Sequence, residues 1–310
     1  MDQYIKDLSY VIQNGDMENT YKMVWIRSIV ETCCLNPNTR EIHFDTLSKK
    51  IFGYYWNQTI YFDLEQSPNP KKRPGIYQLV CEEINKFRNQ HGSKPEWFSK
   101  IESKITIPEK KISTILSKDV CWRFLKVGNE NFDLYELDKE KRTVTLKNSR
   151  LISEYSDLLF DIINYRWIQK LEEFNNSPRI SKKVKGTERE DVKRGNLKKF
   201  QKYLDLENPE QICFISNQPI KKNKLSIDHV IPWSYLYSDN LWNLVYVDKD
   251  KNSSKGNKIP SESTIKKLVE RNKKLFKLID QQNSKDKNTE DLELSIERDW
   301  VKYFWVGCKG

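Results

Sequence analysis

The stretch Leu225–Lys258, LSIDHVIPWSYLYSDNLWNLVYVDKDKNSSKGNK, sets the tightest limits on how this chain folds. "LSIDHVI" is β-prone, and Pro232 ends it because proline has no N–H to give a sheet ladder. "LVYVD" (Leu244–Asp248) is a second short β run. "KDKNSSKGNKIP" then opens a short helix, with Asn252 on its first turns and Gly256 near its end. An antiparallel pair followed by a helix brings a strand end, a loop and a helix face to one point. At that point stand Asp228 and His229, the latter one of three histidines in the chain, beside His43 and His91.

That set of residues suits one chemistry. A phosphodiester is cleaved by in-line attack of water, which needs a base for the water and a cation for the charge that develops. Histidine is the natural base near neutral pH. A hard divalent ion such as Mg²⁺ takes oxygen ligands and retains several waters. Asp228 supplies a carboxylate and Asn252 a neutral amide oxygen, while Asn243 can bond the backbone of the His-bearing loop and hold the imidazole. Adjacent strand residues point to opposite faces, so Asp228 and His229 converge only if the strand twists at its end. His43 and His91 lie far from this stretch and read as structural or exposed.

Asp-His-x-x-Pro-Trp, then Trp-Asn-Leu-Val, then Asn-x-x-Lys-Gly, in this order, resembles the HNH nuclease family with its ββα-metal fold. The family pattern is Asp-His at the end of the first strand, Asn near the second, and His or Asn on the helix. With Asn252 in the last place the chain resembles an H-N-N variant, as in the HNH domains of CRISPR-guided nucleases. The wording "DHVIPWS…LWNLV" is also similar to bacterial HNH proteins of restriction and phage defence. The resemblance spans about 60–70 residues. It implies catalytic roles for His229 and Asn243, and Asp228 and Asn252 as ligands to Mg²⁺ or Mn²⁺. It also implies single-metal hydrolysis leaving a 5′-phosphate and a 3′-hydroxyl. The chain departs from the family at the structural zinc that many members hold with two C-x-x-C pairs. The first pair reads Cys213-Phe-Ile-Ser216, and Asp248 and Lys251 stand at the second, so structural Zn²⁺ is not expected. Apolar packing by Phe214, Ile231, Trp233, Leu241 and Trp242 would replace it.

The chain's 310 residues suffice for about two domains of roughly 150 residues. The net charge of +10 favours a polyanionic partner, although lysine-rich chains are often merely well solvated. No run approaches the ~18 apolar residues of a membrane span. "MDQYIKDLSY" lacks a basic segment followed by an apolar one, and the chain reads as cytoplasmic with no membrane partner. None of its six cysteines forms a C-x-x-C pair, which suits reduced thiols.

The fold class expected is α+β: a mostly helical N-terminal region, an HNH domain, and a helical C-terminal extension. Residues 1–110 read as short helices, including Thr20–Cys34, a helix N-capped by Asp45, and Ile76–Gln90. This region could read DNA, dock a partner or be purely structural. "FGYYW" (Phe52–Trp56) could stack on bases or pack as a helix face. Residues 111–176 read as a connecting region, in which "FDLYEL" and "RTVTL" flank the turn "DKEKR" as a hairpin. There Ile152–Phe174 is one long helix with a stripe of Leu158, Ile162, Trp167 and Leu171. Residues 177–204 read as a basic linker or arm, with eight basic and three acidic residues between Ser181 and Phe200. Residues 205–275 are the nuclease domain and 276–310 the extension. Lys249–Asp280 holds ten basic and four acidic residues. Lys182, Lys183, Lys185, Lys193, Arg194, Lys255 and Lys258 are the candidate contacts to a nucleic-acid backbone.

The function expected is a metal-dependent DNA endonuclease in restriction or anti-phage defence. It would act alone, as a homodimer, or as the nuclease subunit beside a defence-system partner. The alternatives are a non-catalytic nucleic-acid-binding module with a degenerate site, and a nuclease toxin.

Overall fold

Asp2 begins the first helix by accepting the Tyr4 N–H at 2.8 Å, a side-chain cap for a donor with no partner inside the helix. In this computed structural model residues 1–69, 71–92, 94–175, 177–186, 196–256, 258–282 and 286–309 are described. The chain is α+β, mostly helical with small antiparallel sheets. It divides into two compact units, Met1–Asn175 with Ile180–Glu190, and Asn176–Arg179 with Asp191–Gly310.

The first unit is built around α2 (Tyr21–Leu35), whose residues Met23 to Val30 are all buried. Helix α1 (Gln3–Asn14) buries Ile5, Leu8, Val11 and Ile12, the recurrence of an amphipathic helix. Strand β1 (Glu41–His43) leads into α3 (Phe44–Phe62), so the helix starts before Asp45, which lies in its first turn rather than at its cap. Phe52, Tyr55 and Trp56 on α3 are fully buried, so these rings form core and offer no platform for bases. Helix α4 (Gly75–His91) follows. The hairpin is present as β2 (Tyr135–Asp138) and β3 (Thr143–Leu146). Asp138 Oδ1 closes its turn by accepting the N–H groups of Glu140 and Lys141 at 3.0 and 2.9 Å. β3 also pairs with β1, Ile42 opposite Val144, which builds the hairpin into this unit. Residues 111–175 are therefore part of the first unit's body and not a connecting region.

The long helix divides at Tyr155 into α5 (Ser149–Glu154) and α6 (Ser156–Phe174), with Tyr155 leaving helical geometry at φ −96°, ψ 16°. The buried stripe of α6 is Leu159, Ile163, Trp167 and Leu171, every fourth residue. Leu158 is 42% exposed, and Ile162 is half-buried. Helix α7 (Ile180–Gly186) occupies part of the expected linker and buries Ile180, Lys183 and Val184.

In the second unit Phe200, Tyr203 and Leu204 come from the segment that includes α8 (Gln201–Glu207). They join the core formed around β4 (Leu225–His229) and β5 (Leu244–Asp248). A short helix, α9 (Lys249–Lys255), follows β5 directly; α10 (Glu262–Gln281), α11 (Lys287–Glu297) and α12 (Trp300–Lys309) complete the unit. Ile231, Leu241 and Trp242 are buried as expected, while Phe214 packs at the core's edge and Trp233 is half-buried. Trp242 stacks on Phe304 of α12 with ring centroids 5.8 Å apart. Leu292, Val301 and Trp305 fill the same core, so residues 286–309 are not an added extension. Among the described residues no helix is long and apolar enough to cross a membrane.

Candidate active site

β4 and β5 pair antiparallel, with Asp228 opposite Val245 and His229 opposite Leu244. One further bond, Val230 N–H to the Asn243 carbonyl at 2.9 Å, carries the pairing past the strand end. The chain then breaks away at Pro232. Asn243 fixes this bend: its Oδ1 accepts the Ile231 N–H and its Nδ2 donates to the Ile231 carbonyl, both at 2.8 Å. It is completely buried, so Asn243 is a positioning residue for the His-bearing loop and does not reach a substrate. Asn243→Ala leaves two buried backbone groups without their partners. It is expected to cost about 2–4 kcal/mol of stability in urea unfolding.

Asp228 and His229 engage different elements. His229 is buried, 3% exposed, with Nε2 2.9 Å from Asp239 Oδ1 in the loop between the strands. A carboxylate on one imidazole nitrogen sets the tautomer and orients the ring. Asp228 meets α9. The Asp248 side chain starts that helix by accepting the Asp250 N–H at 2.9 Å. Gly256 ends it at φ 54°, a left-handed conformation that favours glycine. The helix presents Asn252 and Lys255 to the carboxylate. Lys255 Nζ donates to Asp228 Oδ2 at 2.6 Å and to the His229 carbonyl. With its amide turned one way, Asn252 donates to Asp228 Oδ2 and Oδ1 at 3.1 and 3.2 Å.

The donor types suit a hard cation. Mg²⁺ takes carboxylate and amide oxygens and keeps several waters. One carboxylate and one amide are therefore a sufficient protein contribution. A structural zinc does not fit. The Cys213–Ser216 loop does lie against the start of α9, with Asp248 N–H 3.4 Å from Cys213 Sγ, but it brings a single sulfur. Burial opposes ionisation of this thiol, yet hydrogen bonds from Ser216 and from the Asp248 and Ile215 backbone outweigh it and lower its pKa. Among the described residues no group of three His, Cys, Asp or Glu side chains could hold a metal.

The candidate nucleic-acid contacts divide. Lys258 is exposed beside the site. Lys255 is engaged with Asp228 rather than turned to solvent. Lys182 is exposed on α7 of the first unit, but Lys183 is fully buried there and is not placed to contact phosphate. The side chain of Lys185, and all of Lys193 and Arg194, lie outside the described residues.

Three residues of this region belong to none of the motifs read from the sequence. Asp239 is one; a lone aspartate in "YSDN" looks like any turn residue. The others are Arg271 and Asn272 on α10. The buried Arg271 donates to the carbonyls of Leu244 and Leu241, and Asn272 donates to that of Trp242 at 2.9 Å. They clamp the turn on either side of Asn243. Burial draws the Arg271 guanidinium down to about 10, which leaves it charged at neutral pH. The spacing of α10 carries a signal for Asn272, because it falls on the stripe Ile265, Leu268, Leu275 and Ile279.

The strand pair and the short helix set Asp228 against Asn252 and Lys255, and His229 against Asp239. Residues 213–261, within the second unit, match the family model described as HNH endonuclease. No curated protein and no solved structure matches the chain.

Proposed function

We propose that the protein is a metal-dependent DNA endonuclease whose active site lies between the end of β4 and α9. The observation that carries this is the HNH endonuclease match over residues 213–261, within which Asp228 meets Asn252 and the next residue, His229, pairs with Asp239. In an H-N-N site of this kind Asp228 and Asn252 would hold Mg²⁺ or Mn²⁺. When bound, the cation supplies stabilisation of the negative charge that develops on the phosphate. His229 accepts the proton of the attacking water, and Asp239 stabilises the imidazolium that results. Asn243 holds the loop between them. The water oxygen bonds to phosphorus as the bond to the 3′ oxygen breaks, leaving a 5′-phosphate and a 3′-hydroxyl. Lys258 and the exposed Lys273 and Lys277 of α10 are suited to the phosphate backbone. A role in restriction or anti-phage defence rests on the likeness of "DHVIPWS…LWNLV" to such proteins. A homodimer or a defence-system partner would supply the second cut that one such site does not make.

A nucleic-acid-binding module without catalysis has one observation in its favour, the Lys255 ammonium already seated on Asp228. Ligation separates the two readings. Linear DNA treated with the protein in Mg²⁺ should yield fragments that DNA ligase rejoins without end repair, and EDTA should stop their formation. DNA retarded on a gel but uncut in Mg²⁺ and Mn²⁺ would favour the binding module.

A further inference from the structure

Lys255 stands where a bound cation would stand. Its Nζ bridges Asp228 Oδ2 and the His229 carbonyl, and the lysine and aspartate side chains are 17% and 15% exposed. A pair so shielded from water holds together far more firmly than a surface pair. Asn252 contacts the same carboxylate. An ammonium has only donors, so it cannot become a ligand to a metal ion. Two cations on one shielded carboxylate repel strongly. The lysine must therefore leave before a divalent ion can use Asp228. Its position permits this: Lys255 is the last residue of α9, on a flexible four-carbon stem, and Gly256 follows it.

Given the metal-dependent reading above, on which this inference rests, we propose that Lys255 is an exchangeable counter-ion. It neutralises Asp228 until a divalent cation enters, and then transfers its charge to a phosphate of the DNA. The Asn252 amide turns over in the same event, from donating to Asp228 to offering its oxygen. Without an ion, the site then never holds a shielded carboxylate lacking a positive partner. Two consequences follow. The ion binds more weakly than the ligands alone would allow, because it must displace the ammonium. DNA and ion also favour one another's binding, because a phosphate gives the displaced lysine a new partner.

The test is a Mn²⁺ titration followed by calorimetry, on wild type, Lys255→Met and Lys255→Arg, with and without a short DNA duplex. Lys255→Met is expected to bind Mn²⁺ about tenfold more tightly than wild type. Lys255→Arg, which keeps the charge, should bind no more tightly than wild type. The duplex should tighten Mn²⁺ binding in wild type and do so less in Lys255→Met. Equal or weaker binding by Lys255→Met overturns the exchange while leaving the cation site in place. Absence of Mn²⁺ binding by both proteins overturns the cation site and the exchange together. Should Lys255→Met fail to fold, Lys255→Gln carries the same expectations.

Discussion

Replacing His229 with alanine is expected to slow DNA cleavage by roughly 100- to 10,000-fold. His229 is the one histidine of the second unit, next in sequence to Asp228. Without it the attacking water has no base of suitable basicity at neutral pH. The variant should still bind Mn²⁺ like wild type, because the proposed ligands are Asp228 and Asn252 and neither bonds the imidazole. Rates on a short duplex, measured beside Mn²⁺ titrations, check both halves. Loss of cleavage together with loss of Mn²⁺ binding would make His229 a ligand and not the base.

The second large effect falls on stability. Trp242→Ala is expected to cost about 3–5 kcal/mol, read as a lower urea midpoint. Trp242 is 2% exposed and lies between the turn that carries Asn243 and the aromatic face of α12, stacked on Phe304 and edge-on to Trp300. Alanine would leave a cavity the rigid strand pair cannot close. Its indole N–H has no hydrogen-bond partner among the described residues. Trp242→Phe should therefore recover much of the loss, since it keeps a ring on Phe304 and gives up no bond. A cost for alanine under about 1 kcal/mol would mean that α12 does not support the site.

The site was legible where its signals are local. Strand, loop, strand and helix lie within Leu225–Lys255, and the stapling of the bend by Asn243 follows from an amide placed just before β5. What escaped was set by distance or by phase. Asp239 reaches His229 only because the loop folds back, and Arg271 reaches Leu244 from a helix beyond the matched segment. The α6 stripe was misplaced by one residue in its first half, because Leu158 and Ile162 stand next to the equally apolar Leu159 and Ile163. The break at Tyr155 added to the error, since no proline or glycine marks it. Lys183 lies in a run of basic residues that reads as solvated, yet α7 turns it inward with Ile180 and Val184. Lys255 was read as a phosphate contact from its charge alone; its bond to Asp228 depends on the pitch of α9 against β4.

The most direct measurement is the form of a supercoiled plasmid after incubation with the protein in Mg²⁺ or Mn²⁺, with EDTA and His229→Ala alongside. Nicked or linear DNA in either metal, absent with EDTA and in the variant, is the expected result. DNA that stays supercoiled in both metals, or that is cut equally well by His229→Ala, would contradict an active site at the end of β4.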